Sequence, residues 1–162
     1  MEYLIVLPIE PTPVRQIYPQ GQSLPLHCTL MHWFRTSSGG LTELDKGIER
    51  IALEATFEQI ELVSERADLF GPGNTVPVHV LAENQPLKAL HEKVLSFLEE
   101  IDSLPEEQRW IGEGYRPHVT DTEFRHFPPG TRFRPTNLAL IGRSEDRDKL
   151  VISSYLLGGP PF

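Results

Sequence analysis

Apolar and polar positions fall into blocks whose periods read as several strands and two helices. Tyr3 to Ile9 is an unbroken apolar run of strand length, the pattern of a central strand buried on both faces. Glu10 to Pro25 is rich in Pro and Gln and reads as a loop. Leu26 to Phe34 resumes as a second strand, and Thr36 to Gly40 reads as a turn. The period then changes. From Leu41 to Ala55, residues Leu41, Leu44, Ile48, Ile51, Ala52 and Ala55 share one helical face, while Glu43, Lys46, Glu49, Arg50 and Glu54 share the other. Gly47 weakens that helix by about 1 kcal/mol relative to alanine. Phe57 to Phe70 alternates loosely, as one long strand or two short ones, and is closed by Gly71-Pro72-Gly73-Asn74.

Thr75 to Ala82 is another apolar strand. Asn84 and Pro86 are start signals for a helix running to about Ile101, with Leu87, Leu90, Val94, Phe97, Leu98 and Ile101 as its apolar stripe. A polar loop leads to Tyr115, followed by three strand candidates: Pro117 to Phe124, Arg132 to Gly142, and Leu150 to Leu157. Each half of the chain thus opens with an apolar strand and continues to a histidine-bearing one, a weak internal repeat of pattern without residue identity. The expectation is an α+β fold: bilobal, with two pseudo-symmetric β-sheet lobes and flanking helices around a central cleft. The lobes would span approximately 1–70 and 75–162, intertwined in a single domain covering 1–162.

Composition narrows the function. The chain has 162 residues, 39% hydrophobic and 23% charged, a globular balance, and carries a formal net charge of −8. Proteins that bind long nucleic acids are usually basic, so a long footprint is excluded, while a small nucleotide or an RNA 3′/2′ terminus needs only a local cluster of donors. The 15 prolines gather between Pro8 and Pro25, between Pro128 and Pro135, and at Pro160 and Pro161, and read as stiffened connections. Cys28 is the sole cysteine, which rules out an intrachain disulfide and a cysteine-based metal cluster. No apolar run approaches the roughly 18 residues that span a membrane, and the N-terminus lacks the marks of a signal peptide. A cytoplasmic monomer without cofactor is expected.

The candidate chemistry lies in two short segments, Leu26-His27-Cys28-Thr29-Leu30 and Pro117-His118-Val119-Thr120-Asp121. Residues i and i+2 of a strand point to one face, so each segment aims an imidazole and a hydroxyl at the same space. Two such strands would bracket a phosphate. A neutral histidine can take a proton from the attacking oxygen, and a protonated one can give a proton to the leaving oxygen. The hydroxyls of Thr29 and Thr120 can donate to the non-bridging oxygens. Histidine followed two places later by Ser or Thr is common, and a pair arises by chance in roughly one such sequence in eight. Placement on strand-like runs in matching halves, His27 and His118, gives the pair its force.

That combination resembles the 2H phosphoesterase superfamily, which includes the bacterial 2′-5′ RNA ligase-like proteins and the cyclic nucleotide phosphodiesterases. Its two H-x-[ST]-x motifs are matched by His27-Cys28-Thr29-Leu30 and His118-Val119-Thr120-Asp121. An N-terminal apolar strand and the approach Tyr115-Arg116-Pro117-His118 also match, and the likeness covers nearly the whole chain. The resemblance implies a bilobal α+β fold without bound metal, and a phosphodiesterase acting on 2′,3′-cyclic phosphates, 2′-5′ linkages or related cyclic nucleotides. It implies His27 and His118 as catalytic, with the first the acid and the second the base when a cyclic phosphate opens, and Thr29 and Thr120 as phosphate-binding. Two places depart from the family. A proline-rich loop stands where a helix is common, and Glu123 stands where the RNA ligase-like branch often has arginine. Arg116 or Arg125 could supply the missing cation.

Tyr115 could stack on a base or simply pack in its loop. Trp33 shares a face with His27 and Thr29 and reads as core or cleft wall, as does Met31. His32 points to the opposite face, Cys28 reads as a small buried residue, His79 and His91 read as structural, and His126 reads as a loop residue. Two other function classes remain: a nucleotide or RNA-end binder that keeps the cleft without catalysis, and a metal hydrolase built on the histidines with Asp121 or Glu123. Strand alternation opposes the second, because Asp121 faces away from His118.

Overall fold

The computed structural model describes residues 1–37 and 40–159. The expected turn at Thr36 to Gly40 therefore falls partly outside the described residues, and Pro160 and Pro161 fall wholly outside them. Among the described residues, nine strands form one antiparallel sheet: β1 (Glu2–Pro8), β2 (Ile17–Tyr18), β3 (His27–Phe34), β4 (Leu62–Phe70), β5 (Val76–Leu81), β6 (His118–Thr120), β7 (Arg132–Phe133), β8 (Asn137–Arg143) and β9 (Lys149–Leu156). Their order across the sheet is β2-β9-β8-β1-β3-β6-β5-β4-β7. Two helices, α1 (Gly40–Ala52) and α2 (Gln85–Glu100), join the same hydrophobic core. Among the described residues no helix is long and apolar enough to cross a membrane.

β1 is buried on both faces, as its unbroken apolar run requires. Tyr3, Ile5 and Leu7 enter the main core under the helices, and Leu4 and Val6 enter a smaller cluster with Tyr18, Leu24, Ala139, Ile141 and Val151. α2 starts where Asn84 and Pro86 place it: the Asn84 side chain accepts from the Leu87 N–H at 2.9 Å, capping the first turn. Gly47 has a packing reason. A Cβ there would overlap the Phe97 ring of α2, so the glycine lets the two helices approach.

Several boundaries differ from the expectation, each for a local cause. α1 ends at Ala52, and Ala55 to Gln59 form a short 3-10 turn that buries Phe57, so the strand expected from Phe57 begins at Leu62. The strand expected over Pro117 to Phe124 keeps three residues: Asp121 leaves the ladder with its carboxylate bound to His79, and Thr122 and Arg125 close a turn. Arg132 to Gly142 splits at buried Pro135, which has no N–H for a ladder. The two pieces go to different places, β7 onto β4 and β8 onto β1. Sheet grouping therefore does not follow chain order. Strands β4 to β7 form one side, and β8 and β9 return to join β1, β2 and β3.

Candidate active site

β3 and β6 meet in the middle of the sheet, with Cys28 opposite Val119. Both of these side chains are fully buried in the main core. Continuing the antiparallel register one residue each way sets Thr29 across from His118 and His27 across from Thr120, all four on the opposite face. The pattern has a local twofold axis through the Cys28–Val119 pair that exchanges one motif with the other. It makes His27 and His118 diagonal neighbours, a relation that separates residues by about 7–8 Å. A tetrahedral phosphate fits between groups so spaced.

The two imidazoles are held alike. Nδ1 of His27 lies 2.8 Å from the Pro25 carbonyl, and Nδ1 of His118 lies 2.8 Å from the Arg116 carbonyl. A carbonyl can only accept, so each Nδ1 carries the hydrogen and donates, and each neutral ring keeps its lone pair on Nε2. Both pKa values lie below the ordinary histidine value. For His27 burial is the main cause, opposed by the Pro25 bond and reinforced by the charges of His118 and Lys149. For His118 burial again leads, opposed by the Arg116 carbonyl and reinforced by the Arg116 guanidinium.

A cavity of about 310 Å³ opens on the His118 side of this pair, with Thr29, His118 and Thr120 on its wall. Phe70 presents its ring to His118 edge-on, with centroids 4.8 Å apart and an interplanar angle of 70°. Trp110 lies nearly parallel to Phe70, with centroids 6.4 Å apart, and Arg116 lies 5.0 Å over the Phe70 ring. The cavity thus joins an aromatic wall, a guanidinium, two hydroxyls and an imidazole. His27 is not part of its lining and stands on the far side of Thr120.

Tyr115 braces the first motif from the second. Its hydroxyl donates to the Thr29 carbonyl at 2.8 Å, and its ring stacks on His91, with centroids 3.9 Å apart and planes 4° from parallel. His91 is buried with both ring nitrogens engaged. Nε2 accepts from the Gly112 N–H at 2.9 Å, so Nδ1 carries the hydrogen and donates to the Leu30 carbonyl at 2.9 Å. Burial pushes the Cys28 thiol up to about 12, leaving it protonated and inert.

Of the expected site residues, the structure brings Thr29, His118, Thr120, Tyr115 and Arg116 to one cavity, with His27 beside it. Trp33 packs on the small cluster beneath Arg143, whose guanidinium lies 4.0 Å from its ring centroid, and does not line the cavity. Arg125 is exposed and paired with Glu10 at 3.4 Å, also away from the lining. Met31 is core. His32 needs correction: it lines the cavity. A bulge between Thr29 and Met31 offsets the alternation, so counting twos from His27 puts His32 on the wrong face. Asp121 lies behind the cleft, with one carboxylate oxygen 2.8 Å from His79 Nδ1 and the other 3.2 Å from His126 Nδ1. Sequence reasoning misses Phe70 and Trp110, since a strand end before a turn and a residue in a polar loop carry no local mark of a binding wall.

The model of the 2′-5′ RNA ligase superfamily matches residues 10–135. A search of curated proteins gives no match. Among solved structures, TT0787 of Thermus thermophilus is similar at 18% identity and a TM-score of 0.64, covering 99% of this chain and 100% of that one. E. coli LigT without ligand is similar at 14% identity and a TM-score of 0.58, covering 96% of each chain. Kluyveromyces marxianus Usb1 is similar at 15% identity and a TM-score of 0.52, covering 96% and 97%. These likenesses establish a common fold, and the family match covers most of the chain. The chain belongs to the 2′-5′ RNA ligase superfamily of 2H phosphoesterases.

Proposed function

We propose that this protein is a phosphodiesterase that uses His27 and His118 as a general acid–base pair on a 2′,3′-cyclic phosphate or 2′-5′ linkage at a nucleotide or RNA end. The observation that carries the reading is the matched pair of Nδ1–carbonyl bonds, which leaves one Nε2 on each side of the strand junction. For a cyclic phosphate, water attacks phosphorus while one neutral Nε2 takes its proton. The bond from phosphorus to one ribose oxygen breaks, and the other histidine, protonated, gives that oxygen a proton. The product is a monoester on the neighbouring ribose hydroxyl. Thr29 and Thr120 donate to the non-bridging oxygens as charge builds. No step in this scheme calls on a metal ion.

Phe70 and Trp110 offer a nucleobase an apolar wall, and Arg116 supplies the nearby cation. E. coli LigT, which shares the fold, has been crystallised with 3′-AMP, with phosphate and with NADP+, which supports a small nucleotide as ligand. The test is incubation with 2′,3′-cyclic nucleotides, 2′-5′ and 3′-5′ dinucleotides and cyclic oligonucleotides in EDTA, with chromatography of the products. Turnover of a cyclic phosphate or 2′-5′ bond is expected. Nucleotide binding with no product from any of them would overturn the reading in favour of a non-catalytic binder.

A further inference from the structure

Arg66, Val80 and His118 stand in one row across the sheet, because Val80 pairs with Arg66 on β4 and with His118 on β6. Residues paired in this way share a face, so Arg66 lies on the His118 face, two strand spacings or about 10 Å from it. A second hollow of about 400 Å³ opens beside Arg66, with Lys88 of the first turns of α2 on its rim. It shares Tyr115 and Arg116 with the catalytic cavity, so the two hollows adjoin at one guanidinium. Among the described residues neither Lys88 nor Arg116 enters an ion pair. Arg66 meets Glu65 at 3.6 Å, with both side chains about half exposed, a contact that solvent largely screens.

We propose that this second hollow is a subsite for the nucleotide preceding the reacting end, so that the enzyme acts on the terminus of an oligoribonucleotide in preference to a mononucleotide. The inference rests on the phosphodiesterase reading above. Arg116, between the hollows, contacts the phosphodiester that joins the two nucleotides, and Arg66 and Lys88 hold the phosphate beyond it. Glu65, Glu83 and Glu113 also line the hollow. Carboxylates repel a long run of phosphates but accept hydrogen bonds from ribose 2′-hydroxyls, which selects a short stretch of RNA. A chain of net charge −8 with one local group of cations fits that short footprint.

The test compares kcat/KM for a 2′,3′-cyclic mononucleotide with that for a trinucleotide bearing the same cyclic end. The wild-type protein is expected to prefer the trinucleotide by about tenfold or more, the effect of a retained charge-assisted phosphate contact. In the double variant Arg66→Ala/Lys88→Ala the ratio should fall towards one. A wild-type ratio near one, with the mononucleotide turned over, overturns the subsite and leaves the phosphodiesterase reading standing. A ratio unchanged in the double variant also overturns it. Turnover of neither substrate removes both proposals together.

Discussion

Each imidazole in the cleft is fixed by one bond to a carbonyl two residues before it, and each loses charge stabilisation through burial. Both pKa values are therefore below about 6.5, the ordinary histidine value. A base that must be neutral and an acid that must be charged then give a bell-shaped kcat/KM profile with its maximum on the acid side of about pH 6.5. A maximum near pH 8 would contradict these environments. Arg116 contributes to the depression at His118 through its charge, so Arg116→Gln should move the His118 limb to higher pH, and a limb that does not move would refute that coupling. At this scale the sequence is informative where chemistry follows spacing: His and Thr two apart share a strand face whatever surrounds them. His32 escapes the same count because a bulge interrupts it, and Phe70 joins the site only through pairing of β4 with β5 and of β5 with β6.

The elements holding the site depend on a few contacts across long sequence separations. His91 on α2 ties Leu30 of β3 to Gly112, and its ring supports Tyr115, which bonds Thr29. His91→Ala leaves a buried carbonyl and an N–H without their partner, at about 1–3 kcal/mol each. Denaturant unfolding should show a loss of about 2–5 kcal/mol, and a loss under about 0.5 kcal/mol would contradict the strut. Gly47 reverses the expectation from helix propensity. Alanine would stabilise an isolated helix by about 1 kcal/mol, but here its Cβ meets Phe97, so Gly47→Ala should destabilise the protein by about 1–3 kcal/mol in the same experiment. Helix period and the Asn84 cap were legible because they are local. The reason for Gly47, the splitting of β7 from β8 at Pro135 and the shortening of β6 required knowledge of the partner elements.

Across the whole molecule, the repeat visible in the pattern is realised as one sheet whose two sides meet at β3 and β6, and the candidate chemistry sits at that junction. Such a site depends on the fold remaining closed, which gives stability its own pH dependence. His27, His32, His91 and His118 all have folded-state pKa values lowered chiefly by burial. The unfolded chain binds their protons more readily. Their contribution is therefore intact above about pH 6.5 and is lost as pH falls from there through the folded values. The melting temperature should drop on acidification below about pH 6.5, whereas a rise there would contradict the buried neutral state. The most direct measurement of the central claim is kcat on a 2′,3′-cyclic nucleotide in EDTA for wild type, His27→Ala and His118→Ala, with the fold of each variant checked by its melting temperature. Two imidazoles acting as acid and base predict a loss of about 10²- to 10⁴-fold in each variant. A folded His118→Ala protein that turns over at the wild-type rate would contradict the account.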